Sequence, residues 1–177
     1  LIYLLSIGVF GIASIANSQT IRIGTEGAYP PWNNINSAGD LEGAEIDFGN
    51  EACKRMGVTC EWVTQDWDGI IPALLQGKYD IIIAGMSITE ERKEKVNFTT
   101  GYMTDGARFA VLKNSGLANL NIAGMAKVNL NNAGGKEQAA IGQLIAAMDG
   151  KTVCVQSSTI HQNFLEKHMS GAVDVKL

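Results

Sequence analysis

Short apolar runs alternate along this chain with longer runs of helical periodicity, from Thr20 onward. The runs expected to form strands lie at 20–24, 61–65, 79–84, 108–112 and 152–156, and a last one begins at 173. Helical spacing predicts helices at 45–56, 69–76, 90–96, 136–148 and 160–169. Such an alternation is typical of βαβ units, so we predict an α/β fold with a mostly parallel sheet.

The helix predicted at 45–56 has the clearest amphipathic pattern. Apolar and small residues share one of its faces, namely Ile46, Gly49, Ala52, Cys53 and Met56. Charged and amide residues occupy the opposite face. This helix is therefore expected to cover one side of the sheet.

The composition changes after Leu112, which suggests how the chain is divided. Residues 113–135 are rich in Asn, Gly and Ala without periodicity, as connectors are. We predict a first lobe at 19–113, a connector with a helix at 114–149, and the start of a second lobe at 150–177. Three elements are too few to bury a core, so we expect the second lobe to be truncated at its C-terminal side.

The first 18 residues are nearly all apolar or small, and polarity rises abruptly at Gln19. This pattern predicts a secretory signal peptide that is removed by cleavage. The alternative is a membrane anchor. Glycine and polar residues interrupt the run, whereas a span needs about 20 strongly apolar residues, so cleavage is favoured.

Charge and composition exclude several kinds of partner. The 177 residues carry a net charge of −4, and the 14 Lys and Arg residues form no run of five. We therefore expect no nucleic-acid partner. The two histidines and the scattered acidic residues lack metal-site spacing, so neither a metal nor a cofactor is predicted.

Three cysteines in an exported chain raise the question of pairing. Cys53 and Cys60 are the candidates for a disulfide that bridges the turn after the first helix. Closing a loop of about 8 residues stabilises a fold by about 2.5 kcal/mol on the chain-entropy estimate. The alternative is two free buried thiols. Cys154, inside a predicted strand, is expected to be a small buried apolar residue.

The segment from Asp66 to Arg92 carries the main candidates for function. It places an aromatic residue, two hydroxyls and an arginine at the ends of predicted strands. Ligands of open α/β sheets bind outside the carboxyl ends of the strands, where helix N-termini favour an anion. The pattern therefore predicts a ligand pocket with an anion site.

Four stretches together resemble a known family: GTEGAYPPWN at 24–33, residues 43–60, DWDGIIPALLQGKYDIIIAGMSITEERKEKVNFT at 66–99, and GKTVCVQSSTIHQNF at 150–164. They resemble periplasmic solute-binding proteins of polar amino-acid ABC importers, most of all the binders of basic amino acids and opines. The resemblance implies a type II periplasmic-binding-protein-like fold of two lobes, with lobe 1 nearly complete and lobe 2 only begun. It also implies a monomeric periplasmic receptor that closes on one ligand and delivers it to a membrane permease.

The resemblance assigns roles to residues of the first lobe. Arg92 would bind the ligand α-carboxylate, and Ser87 would donate to the same group. Tyr29 and Trp67 would sandwich the ligand, and Glu26 would pair with its cationic end. Simpler alternatives are a surface arginine paired with Glu94, core packing for Trp67, and a helix cap for Glu26.

Further assignments cover the rest of the pocket. Gly85 stands where the family usually has a serine, which would leave room for the substituted amino group of an opine. Met86 is included beside it, although its side chain is expected to pack. Ser158 and Thr159 resemble the carboxylate clamp of the second lobe, and a plain N-cap is the alternative role for either.

Two other classes share this fold. One is a periplasmic enzyme similar to cyclohexadienyl dehydratase, and the other is the extracellular sensor domain of a receptor. Glu26 is the one carboxylate that we place in the pocket, and the sequence offers no set of nucleophile, base and orienting residue. We therefore expect a binding protein and not an enzyme. The candidate ligands are arginine, lysine, ornithine, histidine, octopine and nopaline.

Overall fold

The structure, a computed structural model, describes residues 19–122 and 134–177. These residues form two compact units, the first ending at Gly85 and the second beginning at Met86. The predicted lobe boundary at residue 113 stays a prediction. The predicted signal peptide at 1–18 lies outside the described residues, as does the part of the predicted connector at 123–133.

The first unit contains six short strands and three helical segments. In chain order they are β1 (Thr20–Thr25), β2 (Ala28–Tyr29), β3 (Asn33–Ile35), β4 (Leu41–Glu42), α1 (Ala44–Met56), β5 (Thr59–Thr64), a 3₁₀ helix (Trp67–Gly69), α2 (Ile70–Leu75) and β6 (Ile81–Ile82). Strand β1 pairs in parallel with β5 on one side and with β6 on the other. The predicted parallel sheet is therefore confirmed, and β2, β3 and β4 form a separate antiparallel ribbon.

Helix α1 covers the sheet, as its amphipathic pattern predicts. Its face of Ile46, Gly49 and Cys53 is buried, while Met56 at the end of the predicted face is 57% exposed. A Cβ atom at Gly49 would lie only 2.6 Å from the indole of Trp62 on β5, so a glycine allows this close approach. Full burial of a side chain such as Ile46 stabilises the fold by about 1.5–3 kcal/mol.

The disulfide between Cys53 and Cys60 is confirmed. It joins the last turn of α1 to the beginning of β5, with the two Cα atoms 6.0 Å apart. Gly57 ends the helix between them in the left-handed conformation, with φ at 68°. The bridge therefore closes the turn that the sequence predicts.

The strand predicted at 79–84 is much shorter than expected, with ladder pairing only at Ile81–Ile82. Tyr79 is buried instead, and its hydroxyl donates a hydrogen bond to the carbonyl of Ile70 at the start of α2. Asp80 accepts hydrogen bonds from the backbone N–H and the guanidinium of Arg22. These side-chain contacts hold the beginning of the strand in place, so Asp80 has a structural role.

Two other predictions from apolar patterning are wrong. Residues 108–112 form no strand, because a strand requires a ladder partner and none of the described residues pairs with them. Cys154 is exposed, not buried. It follows the buried Val153, and successive strand residues point to opposite faces of the sheet.

The second unit contains α3 (Glu90–Lys93), α4 (Gly135–Met148), β7 (Thr152–Cys154), α5 (Ile160–His168) and β8 (Asp174–Lys176). Strands β7 and β8 pair in parallel, and α5 connects them. A small core forms from Met148, Val153, Leu165, Met169 and Val173. This core includes Met148 of α4 beside residues from 150–177, so a fourth element contributes to it, and the expectation about three elements alone stays a prediction.

Candidate ligand-binding site

Three predicted site segments of the first unit follow neighbouring parallel strands. Glu26 comes directly after β1, Trp67 lies in the 3₁₀ helix after β5, and Gly85 follows β6. The carboxyl ends of parallel strands meet at one edge of a sheet, so all three segments lie at that edge. Glu26 and Trp67 are partly exposed, as residues that contact a ligand must be before it binds.

Tyr29 lies against the backbone of Gly85. A Cβ atom at Gly85 would be 3.0 Å from Cε1 of the Tyr29 ring, which is tighter than an ordinary contact. Gly85 also has a φ of 59°, in the left-handed region. A glycine therefore permits both the backbone conformation and the position of the aromatic ring, which is 39% exposed.

A chain of buried hydrogen bonds connects these loops. The N–H of Gly27 donates to Oδ1 of Asn33 at 2.7 Å, and Nδ2 of Asn33 donates to Oε2 of Glu45, also at 2.7 Å. The other oxygen of Glu45, Oε1, accepts the N–H of Gly85 at 2.7 Å. Asn33 is 0% exposed and Glu45 is 2% exposed, so these two side chains are shielded from solvent, and the contact with Gly85 is partly buried.

Neither Asn33 nor Glu45 is among the site residues predicted from sequence. Glu45 stands in the first turn of α1, where an acidic residue is adequately explained by the helix dipole. One signal does distinguish it. Glu45 precedes Gly49 by four positions and Ala52 by seven, so it falls on the apolar face of the helix, where a carboxylate must find buried hydrogen-bond donors.

In the second unit, Arg92 connects two loops. Its Nη1 donates to the carbonyl of Ser87 at 2.8 Å, and its Nη2 donates to the carbonyl of Ser158 at 3.0 Å. Thr89 caps the short helix α3 and accepts the backbone N–H of Arg92. Partial burial lowers the pKa of the Arg92 guanidinium, while the charge of Glu91 acts in the opposite direction. A partly buried guanidinium that donates to carbonyl oxygens is suited to bind an anion.

Thr159 is the N-cap of α5, and its hydroxyl both accepts and donates a hydrogen bond. Its Oγ1 accepts the N–H of Gln162 at 3.2 Å and donates to the carbonyl of Gln156 at 2.8 Å. Ser158 beside it has a φ of 57°, and its N–H donates to the side chain of Gln162. The structure thus places Ser87, Arg92, Ser158 and Thr159 in one connected group within this unit.

Two negative findings apply to residues 19–122 and 134–177. They contain no group of three or more His, Cys, Asp or Glu side chains that could hold a metal ion. In the same ranges, no helix has the length and apolar character needed to cross a membrane.

Comparison with known proteins identifies relatives of this chain. The family of bacterial extracellular solute-binding proteins, family 3, matches residues 21–174. The octopine-binding periplasmic protein of Rhizobium meliloti is 44% identical over 161 residues, which are 91% of this chain and 54% of that protein. The chain spans about half the length of the curated relatives it matches.

Solved structures agree with the sequence relatives. A periplasmic His/Glu/Gln/Arg/opine family-binding protein from Silicibacter pomeroyi, in complex with lysine, matches with a TM-score of 0.60 and 38% identity over 88% of this chain and 56% of that one. An ancestral amino acid-binding protein, a precursor of cyclohexadienyl dehydratase, matches with a TM-score of 0.64 and 31% identity, covering 89% of this chain and 60% of that one. The predicted fold class, part of a periplasmic-binding-protein fold, is confirmed.

Proposed function

Because this chain belongs to the bacterial extracellular solute-binding proteins of family 3, we propose that it captures a polar amino acid or an opine for an ABC importer. The observation that carries the proposal is the meeting of Glu26, Trp67 and Gly85 at the carboxyl edge of one parallel sheet. Tyr29 packs on Gly85 at the same edge. This edge is where α/β folds bind small ligands.

The proposed ligand carries a carboxylate that Arg92 binds. The guanidinium now donates to two neutral carbonyl oxygens, those of Ser87 and Ser158. Hydrogen bonds to a charged acceptor are about twice as strong as those to a neutral one. A ligand carboxylate is therefore expected to compete well for these donors, with Ser87 adding a further contact.

The other end of the proposed ligand is cationic. Glu26 and the aromatic rings of Tyr29 and Trp67 are suited to an ammonium or guanidinium group, since an aromatic face attracts a cation by about 0.5 to 2 kcal/mol. The relatives support this class, because they include proteins named as binders of octopine, arginine and lysine/arginine/ornithine. We therefore expect basic amino acids and opines to bind better than neutral amino acids.

The receptor is proposed to act in the periplasm, together with a membrane permease. The octopine-binding and lysine/arginine/ornithine-binding relatives are named as periplasmic proteins. We propose that this protein reaches the periplasm through a signal peptide at 1–18. There it is proposed to act as a monomer that closes around the ligand by a hinge motion and docks on a membrane permease. Closure is a population shift, stabilised by contacts that form only in the closed state.

An enzyme is the second candidate, supported by the likeness to a precursor of cyclohexadienyl dehydratase. Such an enzyme needs a proton donor in the pocket. Both oxygens of Glu45 accept hydrogen bonds from N–H groups of Asn33 and Gly85, so this carboxylate is engaged in holding the loops. We therefore propose a receptor and not an enzyme, with Glu26 as the carboxylate that faces the ligand.

Calorimetric titration tests the proposal. Arginine, lysine, glutamine, octopine, nopaline and prephenate are each titrated into the protein, and the solution is analysed for product. Saturable binding of a basic amino acid or an opine without turnover is expected. At a ligand concentration of about 100 times Kd, the folded protein gains about 2.7 kcal/mol of stability. Consumption of prephenate would place the protein in the enzyme class instead.

A further inference from the structure

Glu45 differs from the other acidic residues at the start of α1, because its carboxylate binds two segments outside its own helix. One oxygen accepts the N–H of Gly85, and the other accepts the amide of Asn33, which in turn accepts the N–H of Gly27. Glu45 thus holds two backbone segments that lie far apart in the sequence and that both belong to the proposed pocket.

We propose that Glu45, through Asn33, is a positioning residue of the ligand site. It holds the Glu26–Gly27 turn and the Gly85 loop in the arrangement that the ligand requires. This inference rests on the proposed function, because it deals with the same pocket. The predicted ligand contacts on the two segments, Glu26 and Tyr29 on one and Gly85 on the other, are then fixed relative to each other through one carboxylate.

These hydrogen bonds require a hydrogen-bond acceptor at both terminal atoms of residue 45. Both ends of the chain are backbone N–H groups, of Gly27 and Gly85, and a backbone N–H can only donate. The side-chain oxygen of Asn33 accepts from Gly27, and its side-chain nitrogen donates to Glu45. Glu45 therefore faces an N–H donor on each side. Residue 45 must therefore accept at both of its terminal atoms, which a carboxylate does and a carboxamide cannot.

This requirement predicts an unusual pattern of substitutions. In Glu45→Gln, one contact becomes donor against donor in a buried site. In Asn33→Asp, two carboxylates face each other at the 2.7 Å contact. When both changes are combined, the new carboxylate at position 33 accepts from Gly27 and from the new carboxamide at position 45, whose oxygen accepts from Gly85. The double variant restores every hydrogen bond of the chain and keeps the same net charge.

The experiment measures ligand affinity and amide hydrogen exchange in four proteins: the unchanged protein, Glu45→Gln, Asn33→Asp and the double variant. The probes are arginine and octopine, and binding is measured well below the unfolding temperature of each variant. Each single variant is expected to bind about tenfold more weakly or worse, as follows from one unsatisfied buried donor or one unpaired buried charge. The double variant is expected to recover to within about threefold of the unchanged protein.

Glu42→Gln is the matched control. Glu42 is an exposed carboxylate on β4 whose oxygens accept hydrogen bonds from the side chains of Asn34 and Asn36. It is close to Glu45 in sequence, and the substitution is chemically the same. Because water can satisfy an exposed amide, we expect this variant to bind both probes as the unchanged protein does.

Amide exchange gives a readout that does not depend on any ligand. In the unchanged protein without ligand, the N–H groups of Gly27 and Gly85 are expected to be protected from exchange. Each single variant is expected to lose protection at one or both, and the double variant to regain it. If no probe binds the unchanged protein, the proposed function fails, while this exchange pattern still decides whether Glu45 holds the two segments.

Several outcomes would overturn the inference. One is a single variant that lowers the unfolding temperature but leaves affinity unchanged, because Glu45 would then support the fold and not the site. Another is a double variant no better than the worse single variant. If Glu45→Gln fails to fold, the double variant alone remains decisive, since recovery of folding and of Gly27 and Gly85 protection supports the inference and failure to fold contradicts it.

Discussion

The two units position their candidate ligand contacts in different ways. In the first unit, Glu26 and Gly85 follow strands of a covered sheet, and the buried side chains of Asn33 and Glu45 accept the backbone N–H groups of Gly27 and Gly85. In the second unit, Arg92 itself holds the loops, through hydrogen bonds to the carbonyls of Ser87 and Ser158. In the first unit, the residues that position the loops therefore differ from the candidate ligand contacts. In the second unit, Arg92 is the candidate for both roles.

This difference has a consequence for binding. In the proposed receptor, a ligand that reaches the first unit would meet loops that the hydrogen bonds of Asn33 and Glu45 already hold in place. A carboxylate that binds Arg92 competes with the backbone carbonyls for the same guanidinium. In the proposed receptor, ligand capture would therefore rearrange the loops around Arg92 while the loops of the first unit keep their shape.

The largest expected effect comes from Arg92→Ala. The change removes the proposed anchor for the ligand carboxylate together with the hydrogen bonds to Ser87 and Ser158. We expect affinity for carboxylate ligands to fall by about a hundredfold or more, since hydrogen bonds to charged groups contribute about 1.5–3 kcal/mol each. Calorimetric titration with arginine measures this loss.

Lys93→Ala is the control for Arg92→Ala. Lys93 is the neighbouring cation on α3, and its ammonium pairs with the exposed carboxylate of Glu90 at 2.7 Å. Its removal should change affinity little. Equal affinities of the Arg92→Ala variant and the unchanged protein would show that Arg92 does not bind the ligand carboxylate. The proposed difference between the two units would then be wrong.

Loss of the disulfide should affect stability without affecting the site. Replacing both Cys53 and Cys60 by serine is expected to lower the free energy of unfolding by about 2.5 kcal/mol, from the entropy of the opened loop. The bridge joins α1 to the beginning of β5, at the opposite end of the strand from Trp67. Ligand affinity of the folded protein should therefore stay the same.

Urea unfolding and calorimetric titration of the same samples separate the two effects. Reduction of the unchanged protein with dithiothreitol is the matched control, and it should reproduce the stability loss of the double serine variant. A large change in affinity with an intact fold would show that the first unit is not preorganised, contrary to the comparison.

Gly85→Ser tests the contact between Gly85 and Tyr29. A side chain at a φ of 59° costs about 1 to 2 kcal/mol, and the new Cβ would also press on the Tyr29 ring. Gly77→Ser is the control, because Gly77 has a φ of 72° but nothing within 4 Å of its would-be Cβ. In urea unfolding, the free energy of unfolding is expected to fall more in Gly85→Ser than in Gly77→Ser. The difference measures the cost of the contact with the Tyr29 ring.

The same pair of variants also bears on ligand choice. If Gly85 leaves room for a substituted amino group, Gly85→Ser should weaken octopine more than arginine. Gly77→Ser should leave the ratio of the two affinities unchanged. An equal loss for both ligands in Gly85→Ser would mean that the glycine serves the backbone and Tyr29 only.

Much of the fold could be predicted from the sequence, where local signals agree with packing. Helix α1 has apolar periodicity, acidic residues in its first turn and Gly57 at its end, and it forms nearly as expected. The strand predicted at 108–112 does not form, because apolar alternation indicates only which side chains share a face. A strand also requires a neighbouring strand that pairs with its backbone. Cys154 fails for a related reason, because residue type alone does not tell which face of a strand a side chain takes.

The candidate site was predictable only in part. The segments around Glu26, Trp67 and Gly85 follow predicted strands, and parallel topology brings such ends together. The roles of Asn33 and Glu45 depend on contacts between residues 12 and 40 positions apart. Spacing within one helix or strand does not reveal such pairs. Sequence patterns therefore predict candidate ligand contacts more readily than the residues that position them.

The smallest expected effect is the pH dependence of the ion pair between Arg22 and Asp80, at the entrance of β6. Hydrogen bonds from Arg22 lower the pKa of Asp80 from 3.8 to about 2. Because the pKa is lower in the folded state, the pair stabilises the fold fully above pH 3.8, and this contribution is lost as the pH falls toward about 2. In thermal unfolding, Asp80→Asn should be less stable than the unchanged protein at neutral pH, with a difference that shrinks in this acidic range.

The size of this effect should be small, because both side chains are partly exposed and water screens the pair. Asp40→Asn is the control, since it removes one negative charge from an exposed turn and should not reproduce the pH dependence. The pair lies at the end of the sheet opposite the proposed pocket, so ligand affinity at neutral pH should be the same in Asp80→Asn. A clear loss of affinity there would mean that strain at one end of the sheet reaches the other, and the first unit would then be less rigid than its buried hydrogen bonds indicate.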